Sequence, residues 1–121
     1  MNREIKFRGY NYQYKKWFYG SLFIQNYDND FMLSSSRTMI IDDKGYSVTV
    51  DNGTIGQYTG LKDKNGTEIY EGDLILIGEK RRKVEVIFKD GSFGYLYNGV
   101  CIPFQNQSPE VIGNIYENEG D

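Results

Sequence analysis

Leu74-Ile75-Leu76-Ile77-Gly78-Glu79-Lys80-Arg81-Arg82-Lys83-Val84-Glu85-Val86-Ile87-Phe88-Lys89-Asp90-Gly91-Ser92-Phe93-Gly94-Tyr95-Leu96-Tyr97 carries the clearest structural signal in the chain. The aliphatic run Leu74 to Ile77 has strand length and is expected to be buried on both faces. After the charged turn Glu79 to Lys83, Val84, Val86 and Phe88 recur at period 2, with Glu85 and Ile87 on the opposite face. Asp90-Gly91 tolerates the positive φ of a tight hairpin and returns the chain into Phe93, Tyr95 and Tyr97, again at period 2. Two further strands are expected at 100–104 and 110–115. Five short, bent strands in about 55 residues match a small SH3-like or OB-like barrel. The SH3-like version is preferred because every connection is short.

Outside this stretch the same grammar holds. Asn52-Gly53, Asn65-Gly66 and Asn98-Gly99 are further Asx-Gly turn signals, and Gly makes up 14 of 121 residues against only 2 Pro. No window of helix length repeats its apolar residues at helical spacing, so the expected class is all-β with little helix. Ile5 and Phe7 would share one face of a first strand, with Lys6 and Arg8 on the other. The strand around Trp17 and Tyr19 would pair with it through a connection at 11–14, giving an N-terminal hairpin. Residues 26–36, rich in Asn, Asp and Ser, read as a loop interrupted by Phe31, Met32 and Leu33. Strands at 38–41 and 46–50 would flank the turn Asp42-Asp43-Lys44-Gly45. The length suits one domain, 1–121, with a subdivision into an N-terminal β meander (1–56) and an SH3-like barrel (57–121). The last five residues are expected to be a solvated tail.

Three segments together resemble the YopX family of phage and prophage proteins. They are Ile5-Lys6-Phe7-Arg8-Gly9-Tyr10, the run from Gly56 through Tyr58-Thr59-Gly60-Leu61-Lys62-Asp63-Lys64-Asn65-Gly66 to Ile69-Tyr70-Glu71-Gly72-Asp73, and Glu110-Val111-Ile112-Gly113-Asn114-Ile115-Tyr116-Glu117-Asn118. Where the family usually has an Ala-Trp-Asp-like step after the Phe-Arg pair, this chain has Gly9, Tyr10 and Asn11. The resemblance implies an SH3-type fold in the C-terminal part and a bacterial phage or prophage context. It brings no catalytic residue, since the family has none assigned. The middle segment also has a reading of its own: an Asn65-Gly66 turn, then a Gly72 bend, with Asp73 placed to accept from nearby turn amides.

Composition narrows the chemistry. Histidine is absent and cysteine occurs once, so the commonest zinc ligands and His-based triads are missing from a single chain. Cys101, between Val100 and Ile102, reads as an inert strand thiol. Asp63, Asn65, Thr67, Glu68, Glu71 and Asp73 form the densest oxygen cluster. On the Ca²⁺-loop pattern counted from Asp63, Glu68 stands where Gly is needed and Leu74 where Glu is needed, so they read as turn charges. No catalytic, cofactor or metal site is assigned, and the chain is not expected to be an enzyme. A single cysteine and no apolar run of signal-peptide or membrane-span length point to the bacterial cytoplasm and away from membranes.

Net charge is −3, with residues 1–60 carrying 7 basic and 6 acidic side chains and 61–121 carrying 7 and 11. Basic side chains interleave with rings at Lys6, Arg8, Tyr10, Lys16 and Trp17, and a cationic run stands at Lys80, Arg81, Arg82 and Lys83. These nine form the candidate binding face. Rings between cations suit single-stranded nucleic acid, but the acidic balance favours protein–protein contact, where Tyr and Trp are enriched. With 11 tyrosines, a binding module that self-assembles into a homo-oligomer or engages a host or phage protein is the first expectation, and nucleic-acid binding the second. Tyr95 and Tyr97 are assigned to the core.

Overall fold

The computed structural model describes residues 4–28 and 34–117. It is all-β: twelve strands and one 3-10 turn at Asn52–Thr54. Two compact units divide at Gln57, with Ile5–Gln57 in one and the residues from Tyr58 onward in the other.

In the first unit, β1 (Phe7–Asn11) and β2 (Lys16–Asp28) form the expected hairpin, in the register Arg8↔Tyr19, Gly9↔Phe18 and Tyr10↔Trp17. β2 continues far beyond the expected hairpin and pairs with β3 (Ser34–Ile41) over eight residues, from Ser21↔Ile41 to Asp28↔Ser34. Both ends of the expected 26–36 loop are thus strand, while the Phe31 to Leu33 interruption lies outside the described residues. Cross-strand pairing overrides the weak strand preference of Asn and Ser. β4 (Ser47–Thr49) folds back on β3 through the Asp42 turn, whose carboxylate accepts the Lys44 and Tyr46 N–H groups at 3.0 and 2.9 Å. β5 (Gly56–Lys62) begins in this unit, where Gly56 and Gln57 pair with Arg8 and Phe7. Asn52-Gly53 makes the 3-10 turn and not a hairpin, because the Asp51 side chain accepts the Gly53 N–H at 2.8 Å.

In the second unit, β5 pairs with β6 (Glu68–Tyr70). β7 (Asp73–Ile77) lies between β12 (Glu110–Asn114) and β8 (Arg82–Glu85). β9 (Ile87–Lys89), β10 (Ser92–Tyr97) and β11 (Val100–Ile102) form a separate three-stranded sheet. Val86 separates β8 from β9: its N–H donates to Asp73 and its carbonyl accepts from Gly72, so the chain bends there from one sheet to the next. The described strand pairings do not close a barrel, because β11 and β12 sit in different sheets and do not pair. The closed SH3-like arrangement is corrected to several open antiparallel sheets.

The Asp90-Gly91 and Asn98-Gly99 turns have positive φ at both residues, the type I′ requirement: 53° and 84°, then 52° and 81°. Ile69, Ile75, Ile77, Val86, Tyr95 and Phe104 make the core. The β7 run alternates more than expected, since Ile75 and Ile77 are buried but Leu74 and Leu76 only half-buried. Tyr95 is in the core as expected, whereas Tyr97, at the end of β10, is 48% exposed. No helix among the described residues is long and apolar enough to cross a membrane.

Candidate functional site

Strand parity sorts the residues of the β1–β2 hairpin onto two faces. On one face Arg8 and Tyr10 meet Tyr19 and Trp17. The Arg8 guanidinium lies 4.7 Å from the Trp17 ring centre, and Tyr10 stands edge-on to Trp17 at 5.3 Å and to Tyr12 at 4.8 Å. Arg8 is 5% exposed, so this cation is part of the packing and not of an open face. The period-2 reading grouped Arg8 with Lys6 as outward, but charge does not label which side of a strand faces water. Lys6 is half-buried just before β1, and Tyr10 and Trp17 are half-buried as well.

The opposite face borders the candidate site. Phe18, Ile40 and Val48 come from three neighbouring strands, with Ile40 opposite both Val48 and Leu22 in the register. They lie in a cavity of about 540 Å³ lined also by Tyr14, Lys16, Asp42 and Tyr46, and by Tyr19 and Ser47, whose strand parity is that of the other face. Ile40 is fully buried, while Tyr14, Tyr19 and Tyr46 are exposed, Tyr46 by 72%. Tyr14 meets Phe18 edge-on at 6.1 Å, and the Lys16 ammonium stands 5.6 Å from the Phe18 ring centre. Of the nine expected residues, Lys16 alone lines this groove. Phe18, Ile40, Tyr46 and Val48 were missed. Their alternation was visible in the sequence, but their meeting depends on β4 folding onto β3 and β3 onto β2.

The 80–83 run belongs to the other unit. Lys80 is exposed in the turn, and Lys83 is exposed on β8. Arg81 is committed locally, donating to the Ser108 carbonyl at 2.9 Å and to Glu110 Oε1 at 2.8 Å. Glu110 also lies 3.7 Å from the Lys64 ammonium. The Arg82 guanidinium lies 5.1 Å from the Tyr97 ring centre.

The oxygen cluster of the middle segment acts on backbone. Asp63 Oδ1 accepts the Asn65 and Thr67 N–H groups at 2.8 and 2.9 Å, and Oδ2 accepts the Val111 N–H on β12 at 2.9 Å. Burial raises the Asp63 carboxyl pKa, but the N–H donors of Val111, Thr67 and Asn65, with the Lys64 charge, outweigh it and hold the group below its ordinary value of 3.8. Asp73 Oδ2 accepts the Tyr70 N–H at 2.8 Å, in keeping with the turn role read from the sequence. The Cys101 thiol is half-buried on β11, 3.7 Å from the Ser92 carbonyl.

An all-β chain of two units, one of them presenting an aromatic groove, is the class that fold and site define. The model of the YopX protein family matches residues 6–120, and the chain belongs to that family. It is also similar to a solved structure described as the crystal structure of protein EF1440 from Enterococcus faecalis. That similarity has 26% identity and a TM-score of 0.56 and covers 97% of this chain and 96% of that one. No curated protein matches the chain.

Proposed function

We propose that the chain is a non-catalytic binding module that takes a segment of a partner protein into the groove on the 5–57 unit. The carrying observation is the cavity of about 540 Å³, with Phe18, Ile40 and Val48 among its lining and three exposed tyrosines beside them. Its size falls in the range of roughly 300–1,000 Å³ typical of ligand sites. Tyrosine offers a rigid, amphipathic contact at low entropic cost, which suits a rim that must be wet when free and dry when bound. Nucleic acid is less favoured because two of the expected cations, Arg8 and Arg81, are held within the fold. A phage or prophage accessory role in the bacterial cytoplasm accompanies this reading. So does an SH3-like relationship of the second unit in open form, built on the strand bent at Val86.

The test is selection of a random peptide library on the wild-type chain and on the Tyr14→Ser/Tyr46→Ser double variant. Peptides with a large apolar residue should be enriched by the wild type and not by the variant. Equal enrichment on both proteins, or none on either, overturns the reading. A dimeric mass that becomes monomeric in the variant supports the groove as a binding site and makes the partner segment one of a second copy.

A further inference from the structure

β2 runs on past the end of its neighbour. Its pairing with β1 stops at Phe7↔Gly20, and from Ser21 to Asp28 it pairs with β3 alone. The chain ahead of β1 does not continue the ladder, since Ile5 is 70% exposed and outside any strand. On the far side of β3, the Asp42 N–H donates to the Tyr46 carbonyl and the Val50 N–H to the Thr38 carbonyl, so the even-numbered β3 residues bond toward β4. In an antiparallel ladder the bonding direction alternates from residue to residue. Ile41, Met39 and Arg37 therefore bond to Ser21, Phe23 and Gln25, which leaves the main-chain groups of Leu22, Ile24 and Asn26 turned away from β3. No hydrogen bond meets those groups among the described residues.

We propose that this edge of β2 pairs with the same edge of a second copy of the chain, antiparallel about a two-fold axis, so that the two β2–β3 ladders become one four-stranded sheet. The inference is independent of the groove and of any segment taken there. Sequence and register favour a second copy as the occupant. Sheets guard a long open edge with Lys, Pro or a bulge, yet Ser21-Leu22-Phe23-Ile24-Gln25-Asn26 has no charge and no Pro, and its register against β3 is unbroken. A strand paired with itself sets each charge near its twin, a penalty that this neutral stretch does not meet. With the axis at Gln25, Leu22, Ile24 and Asn26 of one copy stand opposite Asp28, Asn26 and Ile24 of the other. Outward groups then meet outward groups, the self-complementarity that a two-fold interface requires. Pairing also meets a need of the single chain. Beyond Ile24↔Thr38, β2 and β3 pair only with each other, and a two-stranded ribbon is marginal alone. Ile24, 58% exposed, would stand diagonally across the axis from its own counterpart.

The experiment measures mass by light scattering and amide hydrogen exchange on the full chain, for wild type, Ile24→Lys and the Tyr14→Ser/Tyr46→Ser variant. Wild type should show twice the chain mass, and its Ile24 and Asn26 amides should exchange about tenfold or more slowly than after dilution to the single chain. A lysine on the edge repels its twin, so Ile24→Lys should return the single-chain mass. Its circular dichroism should match wild type, as expected for an exposed position. The tyrosine variant should stay a dimer, because the groove takes no part. A single-chain mass for wild type at about 100 μM overturns the proposal. So does a dimer that survives Ile24→Lys, leaves the edge amides unprotected or comes apart in the tyrosine variant. Should Ile24→Lys fail to fold, the exchange of the wild-type edge amides decides alone.

Discussion

In the unit that begins at Tyr58, Ile69, Ile75, Ile77, Val86, Tyr95 and Phe104 are removed from water as one cluster. In residues 5–57, Ile40 and Val50 are the only apolar side chains buried to that degree among the described residues, and Tyr12, Tyr14, Tyr19 and Tyr46 stand exposed. The two units are of similar strand content but gain their order differently. One relies on apolar burial. The other relies on a long main-chain ladder between β2 and β3 and on side chains that satisfy backbone groups: Asn11, Asp42, Asp51 and Thr54. Such a sheet can leave rings on its surface, and in the proposed reading these rings meet the partner.

That contrast can be broken most sharply at Ile75, the buried centre of β7. Ile75→Ala should cost about 2–5 kcal/mol in urea unfolding, because the cavity left behind cannot collapse in a packed core. A cost below 1 kcal/mol would mean that the cluster is not what stabilises its unit. Next come the close approaches. A Cβ at Gly20 would run into the Ile41 carbonyl oxygen and one at Gly94 into the Ile102 carbonyl oxygen, in each case fixed backbone. Gly20→Ala and Gly94→Ala should each destabilise by roughly 1–3 kcal/mol. Only the former should also disturb the groove, visible as altered Tyr14 and Tyr46 side-chain NMR signals.

Asp63 gives a pH-dependent test confined to the second unit. Its carboxyl pKa is lowered in the folded state, so its contribution is complete above 3.8 and is lost as the pH falls through the lower folded value. Asp63→Asn should destabilise by about 1–3 kcal/mol at pH 7. The gap to wild type should narrow when unfolding is repeated below pH 3.8. A gap that is constant with pH would contradict the three-amide latch. The smallest stability effect is expected at Tyr46. Tyr46→Ala should change stability by no more than about 0.5 kcal/mol, since the ring is exposed, and a larger loss would make it a structural residue.

The second unit was the more legible one in the sequence. The Leu74 to Ile77 run and the Asp90-Gly91 and Asn98-Gly99 turns act within a few residues of themselves, so local chemistry places them. Closure into a barrel was not legible, because it depends on where the bend at Val86 sends the next strand. In the first unit the β1–β2 hairpin was visible, but its extension through Asn26 and Ser36 was not, since those residues are strand only by pairing with each other. The candidate face shows the same limit. Lys16 was recognised by its neighbour Trp17, whereas Phe18 was passed over and Ile40, Tyr46 and Val48 join it only through long-range register. Arg8 looked like a surface cation, yet its contact with Trp17 is made across the hairpin.

The contrast between a core unit and a display unit comes down to whether Tyr14 and Tyr46 serve binding without serving stability. Titration calorimetry of the library-selected peptide, on wild type and the Tyr14→Ser/Tyr46→Ser variant with urea unfolding in parallel, measures both at once. Affinity should fall tenfold or more while the unfolding free energy stays within about 0.5 kcal/mol. Affinity that persists without the two rings, or falls only in step with a lost fold, would contradict it.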